Sequence, residues 1–314
     1  MFATAALLLA VTSASAAPPS GCVNAGSFTG TICAPASPGK HAAIVLLGGS
    51  EGGNSMERVA SRFAQYGYVA ASVAYFGIAG LPQALENVPV ETVGKALDEV
   101  SRRPDVDANR IAVMGISKGG EFALLAASTY PQIHAVVAVV PSPFAWEGIP
   151  QGPGEAGSSW TLNGKPVPYV HYTSAMGTLF GEAFATHKPL DLRKGYDDAM
   201  RVNGAQIPGA MFRLENIRGP ILLLAADDDR IWNSPAQCEI AVRYLREHHH
   251  PFADGYVHYA GAGHLFLFSS RGRALTQVPE GPVTFLMGGS PQANVDAGNQ
   301  AWSTIAKFLQ DNLR

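Results

Sequence analysis

The sequence predicts an α/β fold with a mostly parallel, doubly wound sheet and one irregular insertion. Three observations carry that prediction. Apolar runs of strand length alternate with helical patterns along most of the chain. Several of those runs are almost continuously apolar, as parallel strands buried on both faces must be. The third is Gly115-Ile116-Ser117-Lys118-Gly119, which joins the apolar run Ile111–Met114 to a helix-like stretch. Strand, G-x-S-x-G, helix is the context in which a serine sits on a sharp turn, its hydroxyl raised above the sheet.

In chain order, the N-terminus reads as an export signal. Ala5–Val11 is an apolar core and Ala14-Ser15-Ala16 a small-residue cleavage site, although a positive start is missing. Residues 1–16 are therefore expected to be a signal peptide, 17–314 one domain, and the mature chain periplasmic or secreted. In that compartment Cys22 and Cys33 are expected to form a disulfide around a stretch that turns back at Gly26 or Gly30. Cys238, on an expected helix, reads as a small buried apolar residue.

The expected strands are Ala43–Leu47, Val69–Val73, Ile111–Met114, Ala135–Val140, Ile221–Ala225 and Tyr256–Tyr259. The expected helices are Met56–Tyr66, Val90–Arg102, Lys118–Ser128, Pro235–Glu247 and Val295–Leu313. Between Pro141 and Pro220 the chain is rich in Pro, Gly, Trp and Tyr and shows no clear period. An irregular segment of that size reads as a lid or substrate-binding insertion. Trp146 and Trp160 are the candidate substrate-binding aromatics within it, with ordinary core packing as the alternative.

Composition narrows the partners. Net charge is −3 and only 15% of residues are charged. The sequence has no Lys/Arg cluster to track a phosphate backbone, so nucleic acid is not an expected partner. The apolar N-terminal run is too short to span a bilayer, and no other segment approaches that length. No histidine and cysteine spacing suits a metal, and no nucleotide fingerprint is present, so no cofactor is expected. Oligomeric state is left open.

A serine hydroxyl needs a base to take its proton, and the base needs an acid to hold its tautomer. On this fold the order is serine, acid, histidine, with each partner just after a strand. Asp227-Asp228-Asp229 follows Ile221–Ala226 directly. Asp229 is the expected acid and Asp228 the alternative. His264, in Gly261-Ala262-Gly263-His264-Leu265, follows the strand Tyr256–Tyr259 and is the expected base. His41 and His134 precede strands, His258 lies within one, and His171 and His187 come before the acid. His248, His249 and His250 read as a solvated helix end. A second G-x-S-x-G match, Gly48-Gly49-Ser50-Glu51-Gly52, lies on a long glycine loop rather than an elbow. It is the expected oxyanion loop, with the backbone N–H groups of Ser50 and Lys118 as donors.

These segments together resemble a known family. Leu46-Leu47-Gly48-Gly49-Ser50-Glu51-Gly52-Gly53, Gly115–Glu121, Gly219-Pro220-Ile221-Leu222-Leu223, Asp228-Asp229 with Trp232, and Gly261–His264 are similar to the catalytic domain of the acyl-CoA thioesterase / bile acid-CoA:amino acid N-acyltransferase family. Ser158-Ser159-Trp160 and Leu162–Pro168 look like that family too. The resemblance implies an α/β-hydrolase fold, Ser117 as nucleophile, Asp229 as acid, His264 as base, and acyl transfer from a thioester to water. N-acyltransferase members use cysteine as nucleophile, so serine favours hydrolysis. The family's eukaryotic enzymes also carry an N-terminal β-sandwich domain, whereas a short segment precedes the first core strand here. Acyl-CoA is cytosolic and this chain is expected to be exported, which leaves room for another thioester or ester. A general carboxylesterase similar to dienelactone hydrolases and a non-catalytic binding module are the alternatives.

Overall fold

The computed structural model describes residues 18–150 and 156–313, so the expected signal peptide lies outside the described residues. β1 (Cys22–Asn24), β2 (Gly30–Cys33) and β3 (His41–Leu47) are followed by α1 (Glu57–Gln65), β4 (Val69–Val73), β5 (Val88–Pro89) and α2 (Glu91–Ser101). β6 (Val106–Ile116) runs into α3 (Lys118–Thr129) and then β7 (Ala135–Val139). The insertion holds β8 (Ala145–Trp146), β9 (Trp160–Leu162), β10 (Lys165–Pro166), β11 (Tyr169–Val170), α4 (Ser174–Thr186), α5 (Arg193–Asn203) and α6 (Ile207–Ala210). The chain continues through β12 (Ile221–Ala226), α7 (Ser234–Glu247), β13 (Gly255–Tyr259), β14 (Gln277–Glu280), β15 (Val283–Leu286) and α8 (Pro291–Asn312).

Eight strands form the central sheet in the order β1-β2-β4-β3-β6-β7-β12-β13. From β4 to β13 every pairing is parallel; β1 and β2 add an antiparallel edge. Alternate residues of β3 serve opposite faces. Ala43, Val45 and Leu47 pack on the side of α2, α3 and α7, whereas Ala42, Ile44 and Leu46 pack on the side of α1 and α8. That two-sided burial is why the strand reads as a continuous apolar run. Cys22 and Cys33 pair across β1 and β2 and are joined in a disulfide.

The expectation of an irregular insertion needs correction. It contains two regular helices, α4 and α5, and short strands; β9, β10 and β5 make a three-stranded sheet. Two- and three-residue strands are too short to show alternation. Helix α4 carries Gly177 and Gly181 and buries only Ala183 fully, so it lacks a sharp amphipathic period. Among the described residues no helix is long and apolar enough to cross a membrane.

Candidate active site

Ser117 stands alone between β6 and α3 with φ 56° and ψ −125°, a conformation that costs a non-glycine residue on the order of 1–3 kcal/mol. Its N–H donates to the Val139 carbonyl at 2.9 Å, tying the turn to β7. The flanking glycines are required by close approach. A β-carbon on Gly115 would collide with the Gly119 carbonyl, and one on Gly119 with the carbonyls of Gly48 and Leu47. The elbow therefore packs backbone to backbone against the glycine loop that follows β3. A β-carbon on Gly49 would lie 3.4 Å from the Ser117 Cβ. The second G-x-S-x-G match is thus a neighbour of the first.

Asp229 and His264 converge on this turn from the ends of β12 and β13. His264 Nε2 lies 2.8 Å from Ser117 Oγ, and His264 Nδ1 lies 2.9 and 2.8 Å from the two Asp229 carboxylate oxygens. An ionised carboxylate only accepts, so Nδ1–H donates to Asp229 and Nε2 is left to accept from the serine hydroxyl. Asp229 Oδ1 also accepts from the Ile231 and Trp232 N–H groups at 3.0 and 3.2 Å, which fixes the carboxylate. The His264 loop is anchored in turn. His264 N–H donates to Met287 and Gly263 N–H to Asn294 Oδ1, both at 2.7 Å. All three side chains are buried: Ser117 is 8% exposed, His264 2% and Asp229 0%.

The structure separates the acids that sequence order left together. Asp228 pairs with Arg230 at 2.6 Å and accepts from Gly289 N–H, so it is not the partner of His264. Asp227 faces outward to His258. Among the described residues no group of His, Cys, Asp and Glu could hold a metal.

Trp146 and Trp160, the candidate substrate-binding aromatics, lie in the interior. Both are fully buried. Trp160 stacks on Phe122 at 4.2 Å and donates its indole N–H to Glu121 Oε1 at 2.6 Å. Trp146 donates its indole N–H to Gln237 and its backbone N–H to Glu121. They are core, and what they surround is a buried ion pair that sequence reasoning missed. Lys118 Nζ lies 2.8 Å from both Glu121 oxygens and 2.8 Å from Ser159 Oγ. Burial drives the Glu121 carboxyl up and the Lys118 ammonium down, and each charge opposes the other's shift. The pair clamps the insertion to the first turn of α3, the helix that Ser117 precedes. Its signal in the sequence is two opposite charges at i and i+3 in an otherwise small and apolar helix, Lys118–Ala127.

The chain is similar to known proteins in sequence and in fold. The chain is 26% identical over 298 residues to human acyl-coenzyme A thioesterase 1, covering 93% of this chain and 65% of that protein. It is 25% identical over 304 residues to rat acyl-coenzyme A amino acid N-acyltransferase 2, again covering 93% of this chain and 65% of the relative. The chain thus spans just under two thirds of the length of these relatives. Among solved structures, a putative dienelactone hydrolase from Klebsiella pneumoniae superposes with a TM-score of 0.54 at 17% identity, covering 90% of this chain and 92% of that one. An esterase from Pyrobaculum calidifontis gives 0.52 at 18% identity, covering 90% and 80%. These likenesses establish the α/β-hydrolase fold. The sequence profile described as "BAAT / Acyl-CoA thioester hydrolase C terminal" matches residues 88–314, most of the chain, and the chain belongs to that family.

Proposed function

We propose that the chain is a serine hydrolase that cleaves acyl thioesters through an acyl-enzyme. The observation that carries the reading is the continuous line from Ser117 Oγ to His264 Nε2 and from His264 Nδ1 to the Asp229 carboxylate. Ser117 attacks the acyl carbonyl while His264 takes its proton, and Asp229 holds the imidazole tautomer and its developing charge. The N–H groups of Lys118 and Ser50 stabilise the tetrahedral oxyanion. Lys118 is the first residue of α3, where backbone N–H groups have no intrahelical acceptor. His264 then returns the proton to the leaving thiolate. A water molecule, deprotonated by His264, attacks the acyl-enzyme and releases the acid.

The family's thioesterase members support thioesters over other acyl donors, and a serine at the nucleophile position supports water over an amine as acceptor. Simple esters are the second reading. The export signal expected at residues 1–16 favours them, since an exported chain would not meet cytosolic acyl-CoA. The test is a panel of acyl-CoA, non-CoA thioester and simple ester substrates on wild type and Ser117→Ala. Thioester hydrolysis in wild type, lowered roughly 10⁴- to 10⁶-fold in kcat by the substitution with folding intact, is the expected result. Full activity in Ser117→Ala would remove the nucleophile assignment, and preference for simple esters would move the substrate to the second reading.

A further inference from the structure

Tyr75 lies just after β4 and is 3% exposed, its ring packed against Phe76, Phe122 and Trp160. Its hydroxyl is 2.6 Å from the Gly48 carbonyl oxygen and 2.8 Å from the Gly49 carbonyl oxygen. One phenolic proton thus serves two consecutive carbonyls of the loop that lies against Ser117. Burial, with Glu51 and Glu121 nearby, pushes the phenol well above its ordinary range, so the group remains a donor.

Two carbonyl dipoles aimed at one point repel each other unless a proton stands between them. A Gly-Gly pair has little conformational preference of its own. The orientation of these peptides must therefore be imposed from outside the loop. The described residues contain no cis peptide bond, and in a trans peptide the N–H points opposite to the C=O. Fixing the Gly49 carbonyl on the buried hydroxyl therefore turns the N–H of the same peptide, that of Ser50, to the opposite side. The preceding N–H behaves alike: Gly49 N–H points away from Tyr75 and donates to Glu51 Oε1 at 3.1 Å. With Gly49 N–H taken by Glu51, Ser50 N–H is the next donor the loop can offer to a substrate.

We propose that Tyr75 is a positioning residue for the oxyanion hole, holding the Gly48 and Gly49 carbonyls from below so that Ser50 N–H is aimed at the acyl carbonyl oxygen bound on Ser117. The inference rests on the hydrolase reading and adds the device that builds its second donor. Tyr75 touches no reacting atom; it acts through the loop.

Tyr75→Phe keeps the ring and removes only the hydroxyl. Losing one oxyanion donor costs roughly 10²–10³-fold in kcat, so a misaimed one should cost about 10²-fold. KM should stay near wild type. Affinity for a trifluoromethyl ketone, which mimics the tetrahedral adduct, should fall in parallel with kcat. Affinity for a non-hydrolysable thioether analogue of the substrate should hold. A general loss of packing would lower both affinities together. Tyr75→p-aminophenylalanine restores a donor and should recover most of kcat. A measurement on the wild type covers the case in which Tyr75→Phe does not fold. With ¹⁵N-serine and ¹³C-glycine labelling, the Ser50 amide proton should move downfield when a boronic acid adds to Ser117. Wild-type kcat in Tyr75→Phe, or an unmoved Ser50 amide in the boronate adduct, overturns the inference while leaving an active Ser117 untouched. If wild type cleaves no ester or thioester and Ser117 takes up no boronate, the hydrolase reading fails, and this inference with it.

Discussion

Three consecutive aspartates, Asp227, Asp228 and Asp229, reach three different partners: His258 on the surface, Arg230 beside the loop, and His264 in the buried site. The order of serine, acid and histidine was legible because strand ends on a parallel sheet all deliver their loops to one edge. Which of the three acids turns inward was harder to read. It depends on the tight turn after β12, where Asp229 N–H donates to Ala226 and the Asp229 carboxylate accepts from Ile231 and Trp232. The arrangement predicts a sharp contrast. Asp229→Asn should lower kcat by about 10⁴-fold, because an amide no longer holds the productive imidazole tautomer. Asp228→Asn should stay within a few-fold of wild type, since the exposed pair with Arg230 is weakened while an amide oxygen can still accept from Gly289 N–H. Steady-state kinetics on the two variants decides the assignment, and an equal loss in both would reverse it. The Lys118–Glu121 pair was harder to read than the grouping of Ser117, Asp229 and His264. Its spacing is visible, but charges three apart on a helix usually face water, and only the insertion folding over α3 makes this pair buried.

Among the elements, the strands of the parallel sheet were the most legible. Val69–Val73 matches β4 residue for residue, and Ala43–Leu47 lies within β3. Outside the insertion, two antiparallel ribbons were not read as strands: β1 with β2, and β14 with β15. β1 and β14 are mostly exposed and β2, although buried, is only four residues long, so none of them shows a long apolar run. Val23 is 56% exposed, for example. For β1 and β2 the cysteines carried the signal in place of hydrophobicity. The bridge closes a short loop at the edge farthest from β13, and loop closure of that length is worth about 2–3 kcal/mol. Cys22→Ala with Cys33→Ala should therefore lower unfolding free energy in urea by about that amount. The kcat of the folded variant should be little changed, because the loops that carry Ser117, Asp229 and His264 hang from the other half of the sheet. A loss of activity without a loss of stability would show that the edge ribbon reaches the site, through the Asn54–Thr31 hydrogen bond or the pairing of β2 with β4.

On the scale of the whole molecule, the sheet's two faces each have an apolar core, and a third core lies under the insertion. That third cluster, with Phe144, Trp146, Val170 and Tyr196, includes Trp232 from the acid loop. Trp232 links three parts of the fold. Its ring meets His264 edge to face at 5.8 Å and Tyr196 at 5.4 Å, and its backbone N–H donates to Asp229. Its indole N–H donates at 3.0 Å to the carbonyl of Val140. Val140 directly follows β7 at φ 43°, an outlier for a β-branched residue that surrounding bonds must hold in place. The insertion is therefore joined to Asp229, His264 and the strained residue after β7 through one side chain. Trp232→Phe keeps an aromatic wall but leaves the Val140 carbonyl without this donor, and should cost about 1–3 kcal/mol. Trp232→Ala empties a fully buried site and should cost about 3–5 kcal/mol. Urea unfolding measures both. If the third core positions His264, the kcat of the folded fraction falls in the same order, Phe before Ala, with KM for a short acyl substrate changed less. If kcat stays at the wild-type value in folded Trp232→Ala, the insertion's core stabilises the molecule without holding its base, and the bonds from His264 and Gly263 to Met287 and Asn294 are sufficient by themselves.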